Sequence, residues 1–228
     1  MRDVMIACDF ADKEELNLFL NKMGEEKPFL KIGMELFYRE GAPLVRELKN
    51  KGYKIFLDLK LHDIPNTVYK AMKNLGKLGV DITNVHAGGG IEMMKAAKRG
   101  LNEGGSKDAK LIAVTILTSL DDNAVKNELG INLSAKEAVK KYAENAAKAG
   151  LDGIVCSPYE ACIAKELNLI SVTPGIRLEG DSVGDQKRVA TPSFAKEQGS
   201  DYIVVGRSIT GSENPLEAYL KCKKEFLN

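Results

Sequence analysis

The sequence predicts an α/β fold, a TIM (β/α)8 barrel formed as a single domain by residues 1–228. Eight short apolar runs recur along the chain, and most are apolar on both faces, which is typical of parallel strands buried beneath helices. Helical patterns separate these runs, as in alternating strand–helix folds. Eight such units in about 230 residues fit a closed barrel better than an open doubly wound sheet. The open sheet stays an alternative, because periodicity cannot show closure.

The predicted strands follow from the apolar runs in chain order. They cover residues 4–8, 29–33, 54–59, 82–86, 111–117, 153–157, 170–174 and 202–206. Gly52, Gly79, Gly150 and Gly199 each stand shortly before a strand, as glycines do at helix-to-strand turns. No linker or low-complexity segment interrupts the alternation, which is why one domain is predicted.

Capping signals mark the predicted helices. Asp12 and Glu15 form a capping-box pattern before one helix, and Ser134 and Glu137 form another before a helix that runs to Gly150. Apolar faces at the helical period lie at Leu16, Phe19, Leu20 and Met23, and at Val68, Met72, Leu75 and Leu78.

Two connections are longer than usual. Residues 118–134 contain a short helical pattern, and residues 174–192 are polar and rich in glycine. In a barrel both follow strands, so both are expected at the face where active sites form. A long polar loop in that place is typical of a functional segment.

Charge balance and cysteine spacing argue against several classes of protein. Lys and Arg number 33 and Asp and Glu 32, so the net charge of +1 argues against nucleic acid or a membrane as the main partner. No run approaches the roughly 20 apolar residues of a membrane span, and the N-terminus enters a strand pattern too soon for a signal peptide. The four cysteines form no CxxC pattern and the chain has two histidines, so free thiols, no zinc site and a cytoplasmic location are expected.

Charged residues stand near the ends of the first three predicted strands. In the third, side-chain alternation places Asp58 and Lys60 on the lumen face, at the C-terminal mouth of the barrel. Asp9 ends the first strand and Lys31 lies near the end of the second. A self-satisfying ion-pair network is the alternative, but four charges at one barrel mouth favour an active site. Lys60, flanked by Asp58 and Asp63, is better suited to donating a proton than to forming a Schiff base.

An anion site is predicted after the last two strands. Arg177 follows the seventh strand and Arg207 follows the eighth, where Gly206 lets the backbone approach a ligand. The loops after strands seven and eight hold a phosphate in many TIM barrels. Each arginine alone is more often a solvated surface residue, but together with the glycines they predict a phosphate site.

Several motifs resemble those of the orotidine 5′-phosphate decarboxylase family, of the bacterial type. They are DLKLHDIPNTV from Asp58, TILTS from Thr115, PGIR from Pro174, GDQKR from Gly184 and VVGRSIT from Val204. The resemblance runs from Asp9 to Asn214, with the motifs in the family's order. It implies decarboxylation of orotidine 5′-monophosphate to uridine 5′-monophosphate and carbon dioxide in pyrimidine biosynthesis, without a metal or cofactor.

The resemblance also implies catalytic roles. Lys60 would protonate C6 as carbon dioxide leaves, and Asp58 would lie beside the substrate carboxylate. Lys31 and Asp9 would reach the ribose hydroxyls. These roles suit the chemistry, because a fixed ammonium stabilises the negative charge that develops on a ring carbon.

Other implied contacts involve binding and a second subunit. Asp63 would act as a catalytic residue from the second subunit of a homodimer, and Thr67 would lie at that shared site. Thr118 would hold the pyrimidine. The phosphate would be held by Arg177, Gln186, Gly206 and Arg207. The loop of residues 174–192 is expected to be mobile when empty and to become ordered when the phosphate binds.

Two alternative functions stay open at this point. Magnesium-dependent 3-keto-L-gulonate-6-phosphate decarboxylases and hexulose-phosphate synthases share the DxKxxD motif, but carry an acidic residue where this chain has Lys31 and lack the PGIR…GDQKR loop. A catalytically silent nucleotide-binding barrel would keep the arginines but would not need Lys60 between two aspartates. His62 is predicted to pack or to hydrogen-bond, and His86 is assigned no role.

Overall fold

The computed structural model describes residues 2–180 and 189–228, which form a closed barrel of eight parallel strands. Each strand pairs with the next in chain order, and β8 closes onto β1. The strands are β1 (Asp3–Ala7), β2 (Phe29–Gly33), β3 (Ile55–Leu61), β4 (Ile82–His86), β5 (Lys110–Val114), β6 (Gly153–Val155), β7 (Ile170–Ile176) and β8 (Tyr202–Val205). The predicted TIM barrel is confirmed, and the open sheet is wrong.

Helices cover the outside of the barrel. Those in the described residues are α1 (Lys13–Lys22), α2 (Met34–Asn50), α3 (Pro65–Gly76), α4 (Gly90–Glu103), α5 (Asp122–Asn127), α6 (Ala135–Lys148), α7 (Ala161–Glu166), α8 (Pro192–Glu197), α9 (Arg207–Thr210) and α10 (Pro215–Leu227). Short 3-10 helices at Ala87–Gly89 and Pro158–Glu160 follow β4 and β6. None of these helices is long and apolar enough to cross a membrane.

Side-chain alternation along the strands builds two apolar layers. The lumen is filled by Met5, Ala7, Phe29, Phe56, Ile82, Ile112, Val172 and Val204. The alternate positions, such as Leu30 and Leu57, join a larger core between the strands and the helices. Closer to the C-terminal ends of the strands, the lumen-facing residues become polar. Lys31 follows Phe29 by two positions in β2, and Asp58 follows Phe56 by two positions in β3. The C-terminal mouth is therefore where polar chemistry can lie.

The helix starts agree with the predicted caps, with one difference. Ser134 and Glu137 form a complete capping box before α6. Before α1, the Asp12 carboxylate accepts from the Glu15 amide at 2.9 Å. The Glu15 carboxylate accepts from the Ala11 amide at 3.1 Å rather than closing the box onto Asp12.

α3 and α4 pack with their backbones in close approach. A Cβ at Gly76 would lie 2.6 Å from the Leu101 carbonyl oxygen, and one at Gly104 would lie 2.9 Å from the Gly76 Cα. Only glycine fits such a contact. The approach brings the loop before α3 and the turn before α4 side by side at the barrel mouth.

β3 departs from regular pairing beside its charged residues. Leu57 pairs with Thr83 and Leu61 pairs with Val85, so a four-residue step in β3 matches a two-residue step in β4. This bulge contains Lys60, whose φ is +52°. A positive φ at a residue other than glycine costs about 1–3 kcal/mol, so the surrounding structure must hold it. The sequence predicted the faces of the β3 side chains but not the bulge.

Candidate active site

Four charged side chains meet at the C-terminal mouth of the barrel, and we call Asp9, Lys31, Asp58 and Lys60 the charge network. The Lys31 ammonium lies 2.9 Å from Asp9 Oδ1 and 3.6 Å from Asp58 Oδ2. The Lys60 ammonium lies 2.8 Å from Asp58 Oδ1. Asp9 follows β1 by two residues instead of ending it. The structure thus brings the predicted residues together as a chain of alternating charges.

The centre of the charge network is buried. Lys31 is 9% exposed and Asp58 is 8% exposed. Burial opposes the charge of Asp58, but Lys31 and Lys60 hold the pKa of Asp58 below its ordinary value. Burial likewise opposes the charge of Lys31, but Asp58 and Asp9 raise the pKa of Lys31 above its ordinary value. Both groups are therefore charged at neutral pH.

Glycine at position 33 leaves room for the charge network. Gly33 pairs with Asp58 in the register of β2 and β3. A Cβ at Gly33 would lie 3.1 Å from Asp9 Oδ1 and 3.3 Å from Lys31 Nζ. A side chain at this position would therefore crowd the ion pair between Asp9 and Lys31.

Asn84 in β4 is a polar partner of the charge network that the sequence reading missed. It is fully buried, its Nδ2 donates to Asp58 Oδ1 at 2.7 Å, and its Oδ1 accepts from the Lys60 amide at 2.8 Å. Alternation in ITNVH places Asn84 on the lumen face with Ile82 and His86. That lumen-facing carboxamide was the signal that could have identified it.

The charge network lines a cavity of ≈ 580 Å³ at the barrel mouth, a size typical of small-molecule sites. Apolar side chains of the lumen, including Val114, Val155, Val172 and Val204, form part of its wall. The predicted binding residues Thr118, Arg177, Gly206 and Arg207 line the same cavity. Because β3 and β7 are four strands apart in the closed ring, the cavity places Lys60 and Arg177 on opposite sides.

Two predicted site residues lie away from this cavity. Asp63 is exposed in the loop before α3, and its Oδ1 accepts from the Ile64 amide at 2.6 Å. Thr67 is exposed in the first turn of α3. Neither of them lines the cavity of its own chain. Gln186, and with it the central part of the loop predicted to move, lies outside the described residues.

Backbone pairing holds Arg177 at the rim of the cavity. Ile176 and Ala190 form a parallel bridge, and the Arg177 amide donates to the Ala190 carbonyl at 2.9 Å. The Leu178 amide donates to Ser208 Oγ at 3.4 Å, which links the segment after β7 to α9. The segments that carry the two cavity arginines are therefore joined.

The two histidines pack against each other beside the charge network. Their ring centroids lie 5.5 Å apart at an interplanar angle of 34°. Burial, followed by the charges of His62 and Lys60, lowers the pKa of His86. Neither ring lines the cavity, so the geometry indicates packing rather than contact with a ligand.

Within residues 2–180 and 189–228, no group of three or more His, Cys, Asp and Glu side chains is placed to hold a metal ion. None of the four cysteines forms a disulfide, and Cys162 is the one of the four that is exposed. Burial raises the pKa of Cys8 to about 12, so its thiol is a packing group rather than a nucleophile.

Comparison with known proteins extends over nearly the whole chain. The model of the family described as "Orotidine 5'-phosphate decarboxylase / HUMPS family" matches residues 2–222. The orotidine 5′-phosphate decarboxylase of Streptococcus suis (strain 05ZYH33) is 55% identical over 226 residues, covering 97% of this chain and 96% of its own. The orotidine 5′-phosphate decarboxylase of Bacillus anthracis (strain CDC 684 / NRRL 3495) is 52% identical over 231 residues, covering 99% of this chain and 97% of its own. The crystal structure of orotidine 5′-phosphate decarboxylase from Lactobacillus acidophilus superposes with a TM-score of 0.89 at 46% identity, over 100% of both chains.

Proposed function

Because the chain belongs to the orotidine 5′-phosphate decarboxylase / HUMPS family, we propose that its barrel-mouth cavity binds orotidine 5′-monophosphate. The chain is a carboxy-lyase that converts this nucleotide to uridine 5′-monophosphate and carbon dioxide in pyrimidine biosynthesis. The observation that carries this function is the charge network in a cavity that Arg177 and Arg207 also line.

The magnesium-dependent sugar-phosphate enzymes are not favoured. The relatives from Streptococcus suis and Bacillus anthracis, each more than half identical to this chain, are named orotidine 5′-phosphate decarboxylases. Lys31 stands where the magnesium-dependent enzymes carry an acidic residue. Asp9 and Asp58, the carboxylates that could otherwise hold magnesium, are engaged by Lys31 and Lys60.

Turnover without metal is the direct test of this function. Purified protein in excess EDTA is expected to convert orotidine 5′-monophosphate at the same rate as protein with added magnesium. The loss of the substrate's absorbance measures the rate. A divalent ion bound stoichiometrically and required for turnover would instead indicate the sugar-phosphate relatives.

Lys60 is the proposed proton donor. As the bond between C6 and the carboxylate breaks, the electron pair stays on C6 and carbon dioxide leaves. The Lys60 ammonium, held 2.8 Å from Asp58 Oδ1, stabilises this charge and transfers a proton to C6. Water then returns a proton to the Lys60 amine.

Asp58, Lys31 and Asp9 complete the reacting side of the cavity. Asp58 is kept ionised by the lysines on either side, so it places a fixed negative charge near the substrate carboxylate. That charge disfavours the bound substrate more than the transition state, in which the carboxylate charge moves into the ring. Lys31 and Asp9 hold the ribose hydroxyls.

Phosphate and base contacts complete the proposed binding mode. Thr118 holds the pyrimidine, and Arg177, Gly206 and Arg207 hold the phosphate together with Gln186. Among residues 2–180 and 189–228, a Cβ at Gly206 would meet the Ala7 Cβ alone, at 3.6 Å, so packing within this part of the chain does not require the glycine. Glycine at position 206 instead suits the close approach of a ligand.

The enzyme is proposed to act as a homodimer with shared sites. Residues 62–67 are all exposed and span the loop after β3 and the first turn of α3, and Ile64 in this segment is 68% exposed. An exposed isoleucine beside Asp63 and Thr67 suits a contact with a second copy of the chain. Asp63 and Thr67 would then complete the cavity of the partner.

Mixing two inactive variants tests whether the sites are shared. Lys60→Ala and Asp63→Ala are each expected to be inactive, but their heterodimer has one site with both residues. With random exchange, about a quarter of the wild-type activity should return, since half the dimers are mixed and each has one intact site. Mixing Lys60→Ala with Asp58→Asn is the control and should recover nothing, because both residues line one chain's cavity. No recovery in the first mixture, despite demonstrated exchange, would count against sharing.

We also propose a cytoplasmic location. None of the four cysteines forms a disulfide, and three of them are buried. Cysteines outside disulfides are typical of proteins kept in a reducing compartment. A nucleotide-synthesis enzyme of this composition fits that compartment.

A further inference from the structure

We propose that Asn84 is a positioning residue that fixes Lys60 at the bulge of β3 for proton transfer. Its single carboxamide contacts both halves of the Lys60–Asp58 unit. Asn84 Oδ1 accepts from the Lys60 amide at 2.8 Å, and Asn84 Nδ2 donates to Asp58 Oδ1 at 2.7 Å. The same Asp58 oxygen accepts from the Lys60 ammonium at 2.8 Å. These contacts close a ring that passes through the backbone and the side chain of Lys60.

The bulge explains why such a residue is needed. Regular pairing with β4 is lost between Leu57 and Leu61, so Lys60 lies outside the regular hydrogen-bonded pairing of the two strands. Its amide is bonded instead to the Asn84 side chain, while its φ is +52°. The Asn84 contact therefore replaces the missing ladder bond and favours the unusual backbone conformation.

The two hydrogen-bond partners of Asn84 require both an acceptor and a donor, and they hold its carboxamide in one orientation. The Lys60 amide needs an acceptor and the Asp58 carboxylate needs a donor, so only one orientation of the carboxamide satisfies both. Asn84 is 0% exposed, so water does not compete for these bonds. Asn84 does not line the cavity, and it therefore acts on the reaction through Lys60 and Asp58.

Replacement of Asn84 by alanine is the first test, with a matched control on the same strand. Thr83 is also 0% exposed, and its Oγ1 donates to the Leu57 carbonyl across the same strand pair at 3.0 Å, on the opposite face of β4. Asn84→Ala is expected to lower kcat by about 10²-fold, the usual result of a small misplacement of reacting groups. KM should change little, because the phosphate contacts lie across the barrel. Thr83→Val should change kcat by less than about 3-fold. Equal losses in the two variants, or a loss confined to KM, would overturn the proposal.

Replacement of Asn84 by aspartate gives a readout that a purely structural role would not produce. The titratable groups around position 84 are Asp58, Lys60, Lys31, His86 and His62. At neutral pH the new carboxylate would face Asp58, so activity should fall at least as far as in Asn84→Ala. At lower pH a proton retained between the two carboxylates would restore the donor to Asp58. The activity of Asn84→Asp relative to wild type should therefore rise as the pH falls, whereas that of Asn84→Ala should not. Parallel profiles for the two variants would contradict the proposal.

Because this inference rests on the proposed function, a readout independent of turnover separates the two. Wild-type protein that fails to decarboxylate orotidine 5′-monophosphate would refute the proposed function by itself. The crystal structure of Asn84→Ala tests the positioning role in either case. Lys60 should leave its positive φ and its contact with Asp58 in that variant, but keep both in Thr83→Val. An unchanged Lys60 in Asn84→Ala would show that Asn84 does not position it.

Discussion

Replacing Lys60 by alanine is expected to lower kcat/KM for orotidine 5′-monophosphate by more than about 10³-fold. The variant loses the group that we propose both as the proton donor and as the ammonium that stabilises charge on C6. Lys31 cannot take over either role readily, because its ammonium is held by Asp9 at 2.9 Å and faces Asp58 at 3.6 Å. Absorbance assays of the purified variant measure the loss.

Binding of the product separates this chemical defect from a general one. Uridine 5′-monophosphate should still bind Lys60→Ala, since Arg177 and Arg207 line the far side of the cavity. Lys54→Ala is the matched control. Lys54 directly precedes β3, and its ammonium pairs with the Asp3 carboxylate at 3.2 Å. Its replacement should leave turnover within about 2-fold of the wild-type value. Near-normal turnover in Lys60→Ala would remove Lys60 from the mechanism.

Replacing Asp58 by asparagine is expected to reduce both activity and stability. Asp58 contacts Lys31, Lys60 and Asn84, so its neutralisation leaves two ammonium groups facing each other without the carboxylate between them. We expect kcat to fall by at least about 10²-fold, since Lys60 loses its orientation. We expect the free energy of unfolding to fall by about 3 kcal/mol, the low end for breaking a buried pair, because Lys31 keeps Asp9.

The pH dependence of stability gives a second measure of the same charge. The folded protein lowers the pKa of Asp58, so ionised Asp58 stabilises the fold above its ordinary pKa of 3.8. That contribution is lost as the pH falls through the lowered pKa of the folded state. Urea unfolding measures this contribution as the difference in free energy of unfolding between wild type and Asp58→Asn. That difference should be largest near neutral pH and should shrink in acid.

Asp81→Asn serves as the control for the Asp58 variant. Asp81 also pairs with a lysine, since its Oδ2 lies 2.6 Å from Lys49 Nζ and accepts from the Ile55 amide at 2.7 Å. It precedes β4, at the end of the barrel away from the charge network. Its replacement should cost stability and leave kcat unchanged. If Asp81→Asn lowered kcat as much as Asp58→Asn does, the effect of Asp58 would be one of stability alone.

Most of the fold could be predicted from the sequence because its signals are local. β2 and β4 begin and end at the predicted residues, and Ser134 caps α6 as its motif indicates. A parallel strand buried on both sides needs a continuous apolar run, and a helix needs a cap within its first turn, so neighbouring residues carry this information. Strand ends are less sharply marked by neighbouring residues, and β5 ends at Val114 instead of the predicted residue 117.

The charge network was predictable for a related reason. In a closed parallel barrel the C-terminal strand ends all meet at one mouth, so charged residues at three successive strand ends must lie close together. Asp9, Lys31, Asp58 and Lys60 needed only side-chain alternation and strand order to be placed. The cavity-lining positions of Arg177 and Arg207 followed from the same rule.

The sequence by itself determined the barrel, its caps and the charges at its mouth, whereas the tertiary structure decided how those charges are held. The bulge of β3, the positive φ of Lys60 and the double contact of Asn84 depend on the register between β3 and β4. The packing of His62 against His86 depends on how the segments before α3 and α4 approach each other. Register and helix approach are set by contacts between residues far apart in the chain, and a pattern of neighbouring residues does not contain them.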